Sequence, residues 1–227
     1  MPRICVFDVN ETLLDLRALD PQFARVFGDA GVRQTWFAQL LQNAFVTTIT
    51  GPYRDFGTLG AAALDMVAAR RGMSIPPEEK QAILGGMRQL PPHPDTRHGL
   101  EHLRQAGLRL VALTNSTAQV AEAQLAYAGL SGYFERIFSA DAVQRLKPAP
   151  KPYRMVADRM GGAIGDLRLI AAHAWDITGA LRVGCAAAFV ARPGMVLNPL
   201  VERRMSSGPI CLKLLSGSSN TRAGNGV

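Results

Sequence analysis

CVFDVNETLLD, Cys5 to Asp15, is the stretch whose reading decides the fold. A short apolar run ends in an aspartate, Asn-Glu-Thr follow, and hydrophobic residues then resume. The run Ile4–Phe7 reads as a buried strand that delivers the carboxylate of Asp8 at its end. Three later runs share this form: Leu108–Thr114, Leu167–Ala172 and Ala186–Val190, each apolar and followed by polar or turn-forming residues. Helix-like patterns lie between them at Thr117–Ala128, Pro152–Met160 and Trp175–Val183. Strands alternating with helices predict an α/β fold with a parallel sheet and crossover connections.

Outward from Asp8, the first and second strands are separated by roughly a hundred residues that read as successive helices. These are Leu19–Gly28, Gln34–Thr48, Leu59–Arg71 and Pro77–Leu90. A βα crossover needs only about a dozen residues, so the excess predicts an inserted helical cap. Pro91, Pro92 and Pro94 stiffen the return, because each fixes its own φ and restrains the residue before it. The expected division is a core of residues 1–14 and 92–202 with a cap of residues 15–91. Residues 203–227, rich in Ser, Gly, Asn and Thr at their end, read as a flexible tail, with Ile210–Leu215 as an optional docked strand. A cap placed directly after Asp8 would close over the carboxyl ends of the strands, where open α/β sheets bind ligands.

Composition bounds the function. The 227 residues suffice for one large domain or a core with a smaller one, and nearly half are apolar. The net charge of +7 invites a nucleic-acid partner, but Arg203, Arg204, Lys213 and Arg222 place more than half of it in the tail. No basic-aromatic stripe appears elsewhere, so no nucleic-acid partner is expected. Cys5, Cys185 and Cys211 are widely spaced and odd in number, which reads as free thiols in a reducing compartment. No leader-like start and no apolar run of about 18 residues is present, so a cytoplasmic protein without membrane association is expected.

The polar residues at the predicted strand ends gather at one rim. Strand one offers Asp8, Asn10 and Thr12, and strand two offers Thr114, Asn115 and Ser116. Lys147 lies in RLKPAPKPY, and His173, Trp175 and Asp176 follow the third run. Each has a bland reading alone: Asp8 as a turn cap, Ser116 as a helix cap, Lys147 as a solvated charge. Their joint arrival under a cap points to chemistry. Gly161–Asp166, GGAIGD, precedes a predicted strand and so stands on the wrong side to cradle a nucleotide phosphate.

FDVNETLLD, LTNST, LKPAPKPY and AAHAWDITGA resemble, in order, the four signature motifs of the haloacid dehalogenase superfamily, and more narrowly its type II L-2-haloacid dehalogenases. The resemblance spans about residues 3–200, cap included. It implies a Rossmann-like core with Asp8 as nucleophile. Phosphatases of this superfamily carry a second aspartate two residues on, which protonates the leaving alcohol. A departing halide needs no proton, and here the position is Asn10, which has none to cycle. Phosphatases also hold Mg²⁺ with an acid of motif four, where Asp176 is the only carboxylate, so neither metal nor other cofactor is expected.

The mechanism so implied is attack by Asp8 on the halogen-bearing carbon, an ester intermediate, and its hydrolysis by water that Asp176 activates. Lys147 would keep Asp8 ionised. Thr12, Asn115 and Ser116 match positions that hold the nucleophile and the substrate carboxylate. Tyr153 supports the site, and Trp175 is an aromatic wall.

Two departures stand out. The family's cap arginine for halide capture, carried across through GPYRDF, falls on Thr47, and no arginine lies between Arg33 and Arg54. His173 stands where asparagine is usual, and an N–H from it toward halide or carboxylate would partly replace the missing cation. The alternatives are a Mg²⁺-dependent phosphatase or other hydrolase of the superfamily, or an inactive protein that binds a small anion. Pure anion binding gains little from two carboxylates. The apolar cap helices suit a homodimer.

Overall fold

A computed structural model of the chain describes residues 3–201 and 205–208. The first strand, β1 (Ile4–Phe7), lies at the centre of the sheet. Four helices follow it: α1 (Asp20–Phe27), α2 (Val32–Thr50), α3 (Phe56–Arg70) and α4 (Pro77–Gly86). The chain returns through α5 (Thr96–Gln105) to β2 (Arg109–Thr114), then α6 (Ala118–Tyr127) and β3 (Arg136–Ser139). It continues with α7 (Pro150–Met160), β4 (Leu167–Ala171), α8 (Ala174–Val183), β5 (Ala186–Val190) and β6 (Met205–Gly208). The sheet order is β3-β2-β1-β4-β5-β6, and every described pairing is parallel. This is the expected α/β, Rossmann-like arrangement, with helices inserted after the first strand.

The alternation along β1 explains its central place. Ile4 and Val6 join one core, with Val111, Leu113 and Leu169, while Cys5 and Phe7 join the other. A parallel sheet is buried on both faces, so its strands must be apolar throughout. In register, Phe7 stands opposite Ala112 on one side and Ile170 on the other. Asp8 is therefore the first residue beyond the apolar ladder, and its N–H still donates to Ile170 O at 3.0 Å.

The inserted helices pack through aromatic residues. Val32, Trp36, Leu40 and Ala44 recur every fourth residue on α2 and are buried. Trp36 meets Phe23 at 5.3 Å between ring centroids and donates its indole N–H to Gly60 O at 2.9 Å, tying α2 to α3. Asp55 caps α3, its side chain accepting from Thr58 N at 3.0 Å. Their core is continuous with the Phe7 side of the sheet.

Three elements differ from the sequence reading. β3 and α5 have no counterpart in it: β3 is an edge strand of four residues whose first, Arg136, is exposed, and α5 is strongly polar on its outer face. Residues 205–208, placed above in the flexible tail, pair with β5 as a sixth strand. The remaining tail, including Ile210–Leu215 and Cys211, lies outside the described residues. Cys5 and Cys185 are free and buried, and burial raises their thiol pKa values to about 11 and about 12. No helix of the described residues is long and apolar enough to cross a membrane.

Candidate active site

Four segments converge where the central strands end. Asp8 leaves β1 with one carboxylate oxygen facing Lys147 and the other facing Thr12. Lys147 Nζ lies 2.9 Å from Asp8 Oδ1, and the Thr12 hydroxyl donates to Asp8 Oδ2 at 2.6 Å. Thr12 Oγ1 in turn accepts from Ala172 N at 2.9 Å, so the end of β4 fixes the hydroxyl that fixes the Asp8 carboxylate. Lys147 reaches equally to Asp176 Oδ2 at 2.5 Å, and the Tyr153 hydroxyl occupies Asp176 Oδ1. Lys147 and Asp176 are 1% and 0% exposed, so an ammonium between two carboxylates is sealed inside the protein.

The lysine is held from behind as well. Its backbone N–H donates to Asn115 Oδ1 at 2.8 Å, and Asn115 Nδ2 donates back to Lys147 O at 3.3 Å. Asn10 Nδ2 donates to Ser116 Oγ at 3.3 Å, and Asn10 Oδ1 accepts from Gln124 at 2.9 Å. Asn10 is thus a structural tie between the first two strand ends, buried beside Asp8.

Electrostatics sets the two carboxylates apart. Burial alone would raise the pKa of Asp8, but the charges of Lys147 and His173 and the Thr12 hydrogen bond outweigh it and hold the carboxyl below its usual range. Asp176 goes the other way, raised by burial and by the charge of Asp8 against the pull of Lys147. Lys147 would be lowered by burial, yet Asp176 and Asp8 raise it. Tyr153 is raised well above its ordinary value by burial and by Asp176, which keeps it a donor. Of the two, Asp8 is the one whose ionised form the surroundings favour.

A cavity of about 10 Å³ lies against Asp8, walled by Phe37, Leu41, Phe56, His173 and Trp175. That is about one water. His173 and Trp175 stack at 5.3 Å, Phe37 lies 6.0 Å from the His173 ring, and Phe45 meets Trp175 edge-on at 5.4 Å. The Trp175 indole N–H is buried with no hydrogen-bond partner among the described residues. A larger cleft of about 420 Å³ shares Phe37, Leu41 and His173 with this wall and is also lined by Glu11, Arg33, His93 and Arg192.

A hard divalent cation would have to take the oxygens of Asp8 and Asp176, which one ammonium engages here. The two carboxylates already share an ammonium, and the described residues contain no group of three or more His, Cys, Asp or Glu able to hold a metal.

The residues singled out at the rim lie together here, except that Ser116 lines a separate cleft with Trp36 and Met87 and is tied to the site through Asn10, and the wall formed by α2 differs from the motif-based alignment. Thr47 does not line the cavity. Phe37 and Leu41 do, about three turns and two turns nearer the helix start. The arginine of this helix, Arg33, is one turn from Phe37, buried, and paired with Asp20 at 2.5 Å and Glu11 at 3.6 Å.

Two further residues carry no signal that pattern reading picks out. Glu11 sits between Asn10 and Thr12 and adopts φ 60°, a left-handed conformation that only glycine takes freely. Gly179 lets α8 approach the lysine loop: a Cβ there would lie 2.5 Å from Pro148 Cβ, and 2.9 Å from both Pro148 O and the Tyr153 hydroxyl. Gly179→Ala is expected to displace Lys147 and Tyr153 together. It should destabilise the fold by about 1–3 kcal/mol and lower turnover about 100-fold. Thermal melting and steady-state rates check this.

Comparison with known proteins follows the same geometry. The family model described as haloacid dehalogenase-like hydrolase matches residues 2–184. A protein named (S)-2-haloacid dehalogenase 1, from Pseudomonas sp. (strain CBS-3), is 28% identical over 78% of this chain and 79% of its own. An (S)-2-haloacid dehalogenase from Xanthobacter autotrophicus is 28% identical over 92% of this chain and 82% of its own. The solved structure of L-2-haloacid dehalogenase from Xanthobacter autotrophicus superposes with a TM-score of 0.88 at 24% identity, covering 96% of this chain and all of that one, and so shares the fold.

Proposed function

The chain belongs to the haloacid dehalogenase-like hydrolases, and on that premise we propose that it hydrolyses short 2-haloalkanoic acids to 2-hydroxy acids and halide. The observation that carries this reading is the buried charge triad, with Lys147 Nζ 2.9 Å from Asp8 and 2.5 Å from Asp176, and an amide at position 10. A carboxylate held ionised by a fixed ammonium, with an amide in place of an acid at position 10, suits displacement of a leaving group that departs as an anion. The two curated relatives are named for such a reaction.

In this reading Asp8 attacks the halogen-bearing carbon in line, forms an ester with it and expels halide. Lys147 and Thr12 aim its two oxygens. Asp176 and Tyr153 fix Lys147, and Asn115 locks its backbone. The Ser116 hydroxyl accepts from Asn10, so its own hydrogen is left to bind the substrate carboxylate together with the start of α6. The unpartnered Trp175 N–H is the halide donor that the aromatic wall supplies. Free buried cysteines support a reducing, cytoplasmic setting. A pairing of two copies would cover Val46 and Ile49, which are apolar and exposed on α2.

The test is halide release from chloroacetate, fluoroacetate and 2-chloropropionate, with and without EDTA. Release is expected to persist in EDTA, with one enantiomer of 2-chloropropionate consumed. Hydrolysis of phosphate esters that requires Mg²⁺, without halide release, would overturn the reading.

A further inference from the structure

We propose that the larger cleft beside the nucleophile holds the carbon chain of the substrate. The preferred substrates are then 2-haloalkanoic acids with an uncharged hydrocarbon tail of several carbons, ahead of haloacetate and 2-halopropionate. This rests on the dehalogenase reading above and names the substrate class of that same site. The space at Asp8 is about 10 Å³, and the adjoining cleft is about 420 Å³. Small-molecule sites run from about 300 to 1,000 Å³, so the cleft has the capacity that the cavity lacks.

The two spaces share Phe37, Leu41 and His173. Phe37 and Leu41 stand about one turn apart on α2, so a single helical turn and one imidazole ring divide cavity from cleft. Phe37 is held there by ring contacts, with Trp36, Phe56 and His173 between 6.0 and 6.5 Å away. Its ring can turn without breaking a hydrogen bond, and the turn would join the two volumes. The separate cleft that Ser116 lines, about 390 Å³, shares only Phe56 with the cavity among the described residues. The chain therefore has its shorter path on the Phe37 side.

The lining decides the chemistry of the tail. Each of its five charged residues is already paired. Arg17 holds Asp15 at 2.6 Å, and Arg192 holds Asp95 at 2.5 Å. Arg33 holds Asp20 at 2.5 Å and stands 3.6 Å from Glu11, whose other oxygen lies 3.4 Å from His173 Nε2. A second carboxylate on the substrate would meet neutralised guanidiniums with Glu11 and Asp15 beside them.

The rest of the lining is apolar: Leu16, Phe37, Ala38, Leu41, Pro193 and Met195. A hydrocarbon chain laid against these side chains leaves every ion pair intact and takes apolar surface out of water, which is favourable. Ala38 is the position that reads the chain. It is exposed on α2, lines the cleft and is absent from the wall of the Asp8 cavity. A larger side chain there would fill the cleft and spare the space at the nucleophile.

The experiment measures kcat/KM for bromide release from 2-bromopropionate, 2-bromohexanoate and 2-bromoadipate, with the full chain. For the parent, 2-bromohexanoate is expected to exceed 2-bromopropionate by about tenfold or more, and 2-bromoadipate to be the slower six-carbon acid. Ala38→Met and Ala38→Trp should shrink the ratio of hexanoate to propionate stepwise, the tryptophan bringing it close to parity. Val120→Trp, which crowds the separate cleft instead, should keep the parent ratio. Bromide release from 2-bromopropionate without a preference for the longer chain, or a preference for the diacid, would overturn the chain subsite alone. So would a ratio untouched by both Ala38 variants, or one abolished by Val120→Trp. A parent protein that releases bromide from none of the three acids would overturn the dehalogenase reading and the subsite with it.

Discussion

Asp8→Asn is expected to release halide at least about 10⁴-fold more slowly than the parent chain, the scale on which removal of a nucleophile acts. Asp8 is 5% exposed and fixed at both oxygens, by Lys147 at 2.9 Å and Thr12 at 2.6 Å. Its low pKa, opposed by burial but secured by Lys147, His173 and Thr12, makes it an anion at neutral pH. The neutral amide of the same shape lacks the anionic oxygen that attacks, so the ester does not form. It also keeps the volume of the side chain, and the fold should persist with a melting curve close to that of the parent. Chloride measured by ion chromatography decides it. Release within tenfold of wild type would remove Asp8 from the chemistry.

Lys147→Met is expected to damage stability as well as turnover. It leaves Asp8 and Asp176, both buried, facing each other without the ammonium. Breaking one partner out of a buried charge network costs about 3–5 kcal/mol. The loss should depend on pH with a defined sign. In the parent, the Lys147 pKa is raised above its ordinary 10.5, so its stabilisation is fully present below that value and fades only as pH climbs through the folded-state value. In the variant the two carboxylates lose the cation that held Asp8 low, and burial and mutual repulsion raise them. A carboxyl raised in the folded state favours folding below its unfolded pKa, and that advantage is lost as pH rises through the folded one. The gap between parent and variant should therefore be wider at pH 8 than at pH 5 by urea unfolding. Equal midpoints at both would mean that the triad is not the network described here. Turnover should fall about 10³-fold or more, since the cation both aims the nucleophile and keeps it charged.

Much of this was readable from local sequence because local physics dictated it. The apolar runs that became β1, β2, β4 and β5 were long enough, and alternated with helical periods clearly enough, to define a parallel sheet. Asp8, Thr12, Asn115 and Ser116 follow strands that were legible, Tyr153 and Asp176 lie on legible helices, and Lys147, in the loop after the unread β3, was found through its motif. What escaped was decided at a distance. β3 has four residues and begins on a charge, and its identity as a strand comes from pairing with β2. The wall opposite Asp8 could not be assigned by motif alignment along a 19-residue helix, since the turn that faces inward depends on how α2 docks. Thr47 was the result, and Phe37 is what stands there. Gly179 has an ordinary helical environment in sequence and matters only because Pro148 and Tyr153 crowd it. Glu11 looks like any polar residue in a loop until its φ is known.

The small volume beside Asp8 has a consequence for how the molecule divides its stiffness. On the dehalogenase reading, space for about one water is too little for a two-carbon acid with its halogen, so the wall would have to yield to admit it. The triad cannot be what yields, because each of its three charged members is tied to β1, the Asn115 clamp or α8. Phe37 and Phe56 can, since they reach the cavity from α2 and α3 as apolar contacts with no hydrogen bond to the charges. On that reading the charged groups stay tied to the sheet end while the apolar wall of Phe37 and Phe56 would set the size of acid that enters.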